Sequence, residues 1–299
     1  MDLGLNNKVA LVTAASQGLG KASAISLANE GVKLIICSRD KAKISKAEKD
    51  IKELTGADVV SFQTDLNSSK DIDGMIKKIM EEYGRVDILV NNTGGPKAGF
   101  FDDLTDEDWV STFESTFLSV VRMTRAVLPS MKRNKWGRIV NISSVSAKQP
   151  IDNLILSNGV RMSVHGWAKT LSNELASDNI LINNVCPGFT KTERVDDLVA
   201  NQAKDMDIAE EKIVEAIANN IPAKRVGKPE ELASLVTSLS STFSLSTMIA
   251  ITLALISDIF KNLKVSVCKE KNYPPINKTY LHLIYQHFNA KSGGILHYA

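Results

Sequence analysis

The chain has 299 residues, 43% hydrophobic and 23% charged, and its 36 basic and 34 acidic side chains leave a net charge of +2. That is the make-up of an ordinary globular protein, and without a long block of like charge it excludes a nucleic-acid-binding arm. Three widely spaced cysteines, Cys37, Cys186 and Cys268, predict reduced thiols of a cytosolic protein in place of a disulfide framework or a zinc site, and no metal is expected. The N-terminus lacks the basic and apolar segments of an export signal.

In chain order, β-branched apolar runs predict strands at 8–13, 32–37, 58–63, 86–91, 137–143 and 179–186. Helix-period stretches fill the gaps at 19–30, 41–55, 69–83, 106–134 and 153–177, followed by charged segments at about 193–219 and 229–240. This alternation predicts an α/β fold, a doubly wound parallel sheet of the Rossmann type. Its ligand site is expected at the carboxyl ends of the strands.

After the first strand, "TAASQGLG" (13–20) runs directly into a helix. Gly18 and Gly20 let the backbone approach a pyrophosphate, and the helix N-terminus offers free N–H groups. Thr13, Ser16, Gln17 and Leu19 complete this candidate phosphate turn. The second strand ends "LIICSRD": Ser38 takes the tip, where a carboxylate would bind the ribose of NAD, and Arg39 can pair with the 2′-phosphate of NADP. NADP(H) is therefore the expected cofactor, with NAD(H) as the alternative in which Arg39 is a solvated surface charge. Asp65 and Leu66, past the third strand, are placed to meet the adenine.

With "NNTGG" (91–95), "NISS" (141–144), "CPGFTKT" (186–192) and "IPAKRVGKPEELASLV" (221–236), the chain resembles the short-chain dehydrogenase/reductase superfamily over about residues 6–240. "NTGGP", "LILSNGVR" and "PGFTKTER" resemble an atypical subgroup similar to 3-oxoacyl-(acyl-carrier-protein) reductases. Ala14 stands in place of the family's first glycine. The resemblance puts Asn92, Thr93, Gly94, Pro187, Gly188, Phe189, Thr190 and Thr192 at the nicotinamide end. It places the substrate-orienting serine on Ser144, the tyrosine on Ser157, the lysine on Arg161 and the active-site asparagine on Thr116. It implies a carbonyl or alcohol substrate, free or on an acyl carrier, and a homodimer or homotetramer built on helices 106–134 and 153–177.

Spacing of i, i+4 sets Ser157 and Arg161 on one helix face. A serine hydroxyl is too weak an acid to replace a phenol unaided, and a guanidinium does not deprotonate, so Arg161 is expected to hold ribose hydroxyls, a phosphate or a substrate carboxylate. Ser144 with an ordered water is the expected substitute donor, ahead of His165. The other reading is a nucleotide-binding module or scaffold subunit that keeps the fold without the chemistry. Residues 193–220 are expected to form a substrate lid.

The expected domain ends at about residue 241, leaving 242–299 as a divergent tail. Leu232 to Ser257 carries no charge and is long enough for a membrane span, but its serines and threonines argue against one. "AITLALI" (250–256) reads as a replacement last strand; alternatively, a reading-frame shift has overwritten the native ending.

Overall fold

A computed structural model of the chain describes residues 2–243 and the backbone of Thr252–Leu255. Seven strands, β1 (Val9–Thr13), β2 (Lys33–Ser38), β3 (Val59–Gln63), β4 (Ile88–Asn91), β5 (Gly137–Ile142), β6 (Ile180–Pro187) and β7 (Thr252–Leu255), form one parallel sheet. Their order is β3-β2-β1-β4-β5-β6-β7. The chain winds outward in both directions from β1 and β4, and the strand ends diverge between them to make a crevice. β7 falls in the stretch read as a replacement strand and pairs with β6 from Asn184 opposite Thr252 to Pro187 opposite Leu255. The sheet thus extends past the expected boundary at 241; residues 244–251 and 256–299, with Cys268, lie outside the described residues.

Helices α1 (Gly18–Ala28), α2 (Lys41–Thr55), α3 (Ser69–Tyr83), α4 (Asp106–Phe113), α5 (Ser119–Asn134), α6 (Ile155–Leu175), α7 (Glu193–Met206), α8 (Glu210–Asn220) and α9 (Pro229–Ser240) follow the predicted segments closely. Their ends have local causes. The Asp40 carboxylate accepts from the Lys43 N–H to start α2, and Gly56 stops it at φ +67°. The helix expected over 106–134 contains one π turn, Glu114–Leu118, between α4 and α5.

Because helices cover both faces, every strand residue of β1, β4, β5 and β6 is buried. Val12, Ile36, Val90 and Val140 pack under α1, α2 and α9; Leu11, Ile35, Leu89 and Ile139 pack under α3, α5 and α6. Each such side chain contributes roughly 1.5–3 kcal/mol on burial. One polar line crosses this interior. Asn91 Nδ2 donates to Asn141 Oδ1, and Asn141 Nδ2 donates to Asn184 Oδ1, each at 2.9 Å. Among the described residues no helix is long and apolar enough to cross a membrane.

Candidate active site

A cleft of about 590 Å³ opens at the carboxyl ends of the strands. Its floor begins with the turn after β1. Ala14 has φ +45°, a left-handed conformation that strains an L residue. Two contacts hold it: Asn92 Nδ2 donates to the Ala14 carbonyl at 3.1 Å, and the Ala15 N–H donates to the Cys37 carbonyl at 3.1 Å. Gly18, at φ +57°, then turns the chain into α1, whose first N–H groups have no helical partners. A Cβ on Gly20 would stand 2.6 Å from the Ala14 carbonyl oxygen and 3.0 Å from Ala15 Cα, so only glycine lets α1 sit this close.

Ser16, Gln17, Gly18, Leu19, Ser38, Arg39, Asp65, Leu66, Asn92, Thr93, Gly94, Pro187, Gly188, Phe189, Thr190 and Thr192 line this one cleft, as do Ser144, Ser157 and Arg161. Three expected residues do not line it. Thr13 is buried behind the wall, where its hydroxyl donates to the Asn92 carbonyl at 2.7 Å and accepts from the Asn92 N–H at 2.8 Å, tying β1 to β4. Gly20 acts through the close packing just described. Thr116, 2% exposed, lies in the π turn, and its neighbour Ser115 faces the cleft instead. A π turn carries more residues per turn than an α-helix and so changes which side chain points outward.

At the substrate end, the Ser144 side chain accepts from the Ser146 N–H at 3.1 Å, which orients its oxygen and leaves its proton for a ligand. Ser157 Oγ pairs with Ser146 Oγ at 2.9 Å. Arg161 Nη1 donates to the carbonyls of Ile142 and Ser143, at 3.3 and 3.0 Å. Burial above all, and then the nearby charge of Arg194, push its pKa down to about 10, still protonated near neutrality. His165 Nε2 meets Ser143 Oγ at 2.9 Å. Burial, Lys148 and Arg161 push the imidazole down to about 4, so it is neutral at pH 7 and no cationic acid. Cys37 and Cys186 are buried free thiols, pushed up by burial to about 12 and about 11.

The groups present fit a dinucleotide. The glycine turn and helix terminus suit a pyrophosphate, and Arg39 with Lys43 lines the cleft beside Ser38, suiting a 2′-phosphate. The Asp40 carboxylate, which would oppose a phosphate, is engaged as the α2 cap. The buried Thr93 hydroxyl has no hydrogen-bond partner, as an orphan awaiting a ligand would.

A family model described as short chain dehydrogenase matches residues 8–203. The chain belongs to the short chain dehydrogenase family. It is 34% identical over 238 residues to the NADPH-dependent reductase BacG of Bacillus subtilis (strain 168), covering 79% of this chain and 92% of that protein. It is 31% identical over 239 residues to the 3-oxoacyl-[acyl-carrier-protein] reductase FabG of Escherichia coli (strain K12), covering 80% and 92%. Among solved structures, YwfH, an NADPH-dependent reductase involved in bacilysin biosynthesis, superposes with a TM-score of 0.80 at 32% identity, covering 86% and 100%. L-sorbose reductase from Gluconobacter frateurii, complexed with NADPH and L-sorbose, gives a TM-score of 0.83 at 28% identity, covering 88% and 100%.

Within this short chain dehydrogenase, sequence reasoning missed Lys43, Ser143, Ser146 and Arg194. Lys43 lies one turn into α2 on the side of Arg39, a placement the helix period could have shown. The segment expected as a lid is a helical pair, α7 and α8, closed over its own small core of Val199, Ala203 and Ile213. Its first two turns line the cleft with Glu193, Arg194, Val195 and Leu198.

Proposed function

We propose that this chain is an NADPH-dependent carbonyl reductase in which Ser144 holds the substrate oxygen at the end of β5. The single observation that carries the reading is one cleft shared by the glycine turn, the Arg39–Lys43 pair and a Ser144 hydroxyl whose proton is free for a ligand. The chain is an oxidoreductase of the NADP(H)-dependent kind, acting on a carbonyl/alcohol pair. When bound, NADPH supplies the hydride. Gly18, Leu19 and the α1 terminus hold the pyrophosphate end; Ser38, Arg39 and Lys43 hold the 2′-phosphate; Thr93 and Gly188 border the nicotinamide end.

Proton delivery falls to the hydroxyl groups of this chain. Ser144 donates a hydrogen bond to the substrate carbonyl and, with an ordered water, passes the proton as charge develops on oxygen. Ser157 is turned to Ser146, and neutral His165 to Ser143, so neither replaces a phenol. Lack of a positioned general acid costs about 10²–10⁴ in rate, and turnover is therefore slow. A carbonyl carried on an acyl carrier, as in the name of FabG, and a free small ketone both suit a cleft of this kind.

Exposed apolar side chains on α4 and α6, Val110, Phe113 and Met162, support a homodimer or homotetramer through this face. Buried reduced thiols at Cys37 and Cys186 support a cytosolic location.

Titration with NADPH and NADH, followed by a panel of carbonyl substrates, tests the reading. NADPH binding with turnover that Ser144→Ala abolishes is the expected result. Binding without turnover on any carbonyl would replace the reductase with a nucleotide-binding module. No binding of either nucleotide would refute both.

A further inference from the structure

Two arginines, Arg161 and Arg194, line the same cleft, and neither has a carboxylate partner among the described residues. Arg161 is only 7% exposed. Its guanidinium donates through Nη1 to the Ile142 and Ser143 carbonyls, and the residue lines the cleft. Arg194 reaches from the first turn of α7 to the Pro96 carbonyl at 2.5 Å and lines the same cleft. The charge of Arg194 adds to burial in lowering the Arg161 pKa.

A buried arginine in this fold need not imply a ligand, as Arg138 shows. Its Nε donates to the Ser241 carbonyl and its Nη1 to the Gly137 and Asn179 carbonyls, and its guanidinium lies 4.4 Å from the Trp136 ring centre. Arg138 does not line the cleft. Arg161 differs in facing the cleft with unused donors beside a second cation. Two like charges in a partly desolvated hollow repel until an anion lies between them, and a planar fork of donors matches a carboxylate.

We propose that the substrate is a free oxo acid, whose carboxylate lies between Arg161 and Arg194 while its carbonyl accepts a hydrogen bond from Ser144. This rests on the carbonyl-reductase reading and narrows it. A neutral ketone has no charge for the arginines, and an acyl thioester has none beside its reacting carbonyl. The only anion on a carrier arm is a distant phosphate.

The test is binding to the full chain saturated with NADP+, measured by calorimetry so that no turnover is needed. Acetoacetate, pyruvate and longer 2- and 3-oxo acids are each compared with their methyl esters, and acetoacetate also with acetoacetyl-coenzyme A. A charge-assisted contact predicts at least one acid binding about 10-fold more tightly than its ester. Arg161→Gln is expected to erase that preference with NADP+ affinity kept. Arg194→Gln, at an exposed position that leaves the fold alone, is expected to reduce it. Esters binding as well as acids throughout would overturn the proposal. So would a loss of NADP+ affinity in Arg161→Gln with the acid preference intact, or arginine-dependent binding of the coenzyme A thioester alone. The two readings fail separately. Arginine-dependent acid binding with no NADPH oxidation on any oxo acid defeats the reductase and supports the carboxylate site. Reduction of neutral ketones alone keeps the reductase and defeats the carboxylate site.

Discussion

Replacing Gly20 with alanine adds one methyl group at the tightest point of the cofactor turn. The new Cβ would lie 2.6 Å from the Ala14 carbonyl oxygen and 2.7 Å from Asn92 Nδ2, where ordinary contact begins at 3.4 Å. The nearest neighbour is backbone, already fixed by the Asn92 side chain, so α1 has to move out by several tenths of an ångström. Overpacking of this kind costs about 1–3 kcal/mol, less about 1 kcal/mol for alanine's better helix propensity. Gly74, in the middle of α3, has nothing within 4 Å of its Cβ position. Gly74→Ala should therefore gain about 0.5–1 kcal/mol by the same chemistry. The two variants then differ by about 2 kcal/mol, or roughly 4–8 °C in Tm for a domain of this size. Scanning fluorimetry measures the difference, and an NADPH titration of Gly20→Ala should show weaker binding because the α1 N–H groups have moved. Equal melting temperatures with unaltered NADPH affinity would refute the packing argument.

Other expectations follow from the same geometry. Ala14→Gly relieves a left-handed alanine at φ +45° and should raise stability by about 0.5–1 kcal/mol, net of the added freedom of the unfolded chain; an unmoved denaturant midpoint would count against strain there. His165 is held neutral down to about pH 4 in the folded chain, against 6.5 for a free imidazole. The unfolded state therefore binds more protons as pH falls through that window, and stability present at pH 7 drops by about 2 kcal/mol at pH 5. Denaturant unfolding at the two pH values should show that loss in the parent chain and a smaller one in His165→Asn. Met162→Glu, at a side chain 54% exposed on α6, should shift light-scattering mass toward monomer; an unchanged mass would place any interface elsewhere.

The sheet was legible in the sequence because a strand buried on both faces is written around a short apolar run, as "VALV" (9–12) and "ILV" (88–90) are. Helix ends were legible wherever a cap residue marks them, as at Asp40 and Gly56. Hidden from the sequence was whatever depends on register in three dimensions. The π turn after Phe113 carries no residue signature, so Thr116 was expected where Ser115 stands. Ser146 partners Ser157 only because a short turn after β5 brings the two together. Arg194 gave no sign of its place, since its partner Pro96 lies 98 positions away in the chain.

The asparagine line through Asn91, Asn141 and Asn184 acts as a key between strands. Parallel apolar strands could slide past one another with little change in buried area, because valine, isoleucine and leucine substitute readily for each other. The amides join residues directly opposite one another in both pairings. A slip by one position would turn each amide to the other face and leave its hydrogen bonds unmade in a dry interior. Polar groups that add little to net stability thereby fix the relative heights of β4, β5 and β6. Those heights set the levels of Asn92, Ser143 and Gly188 at the strand ends, so the alignment of the catalytic floor is decided within the core, one residue or more below it.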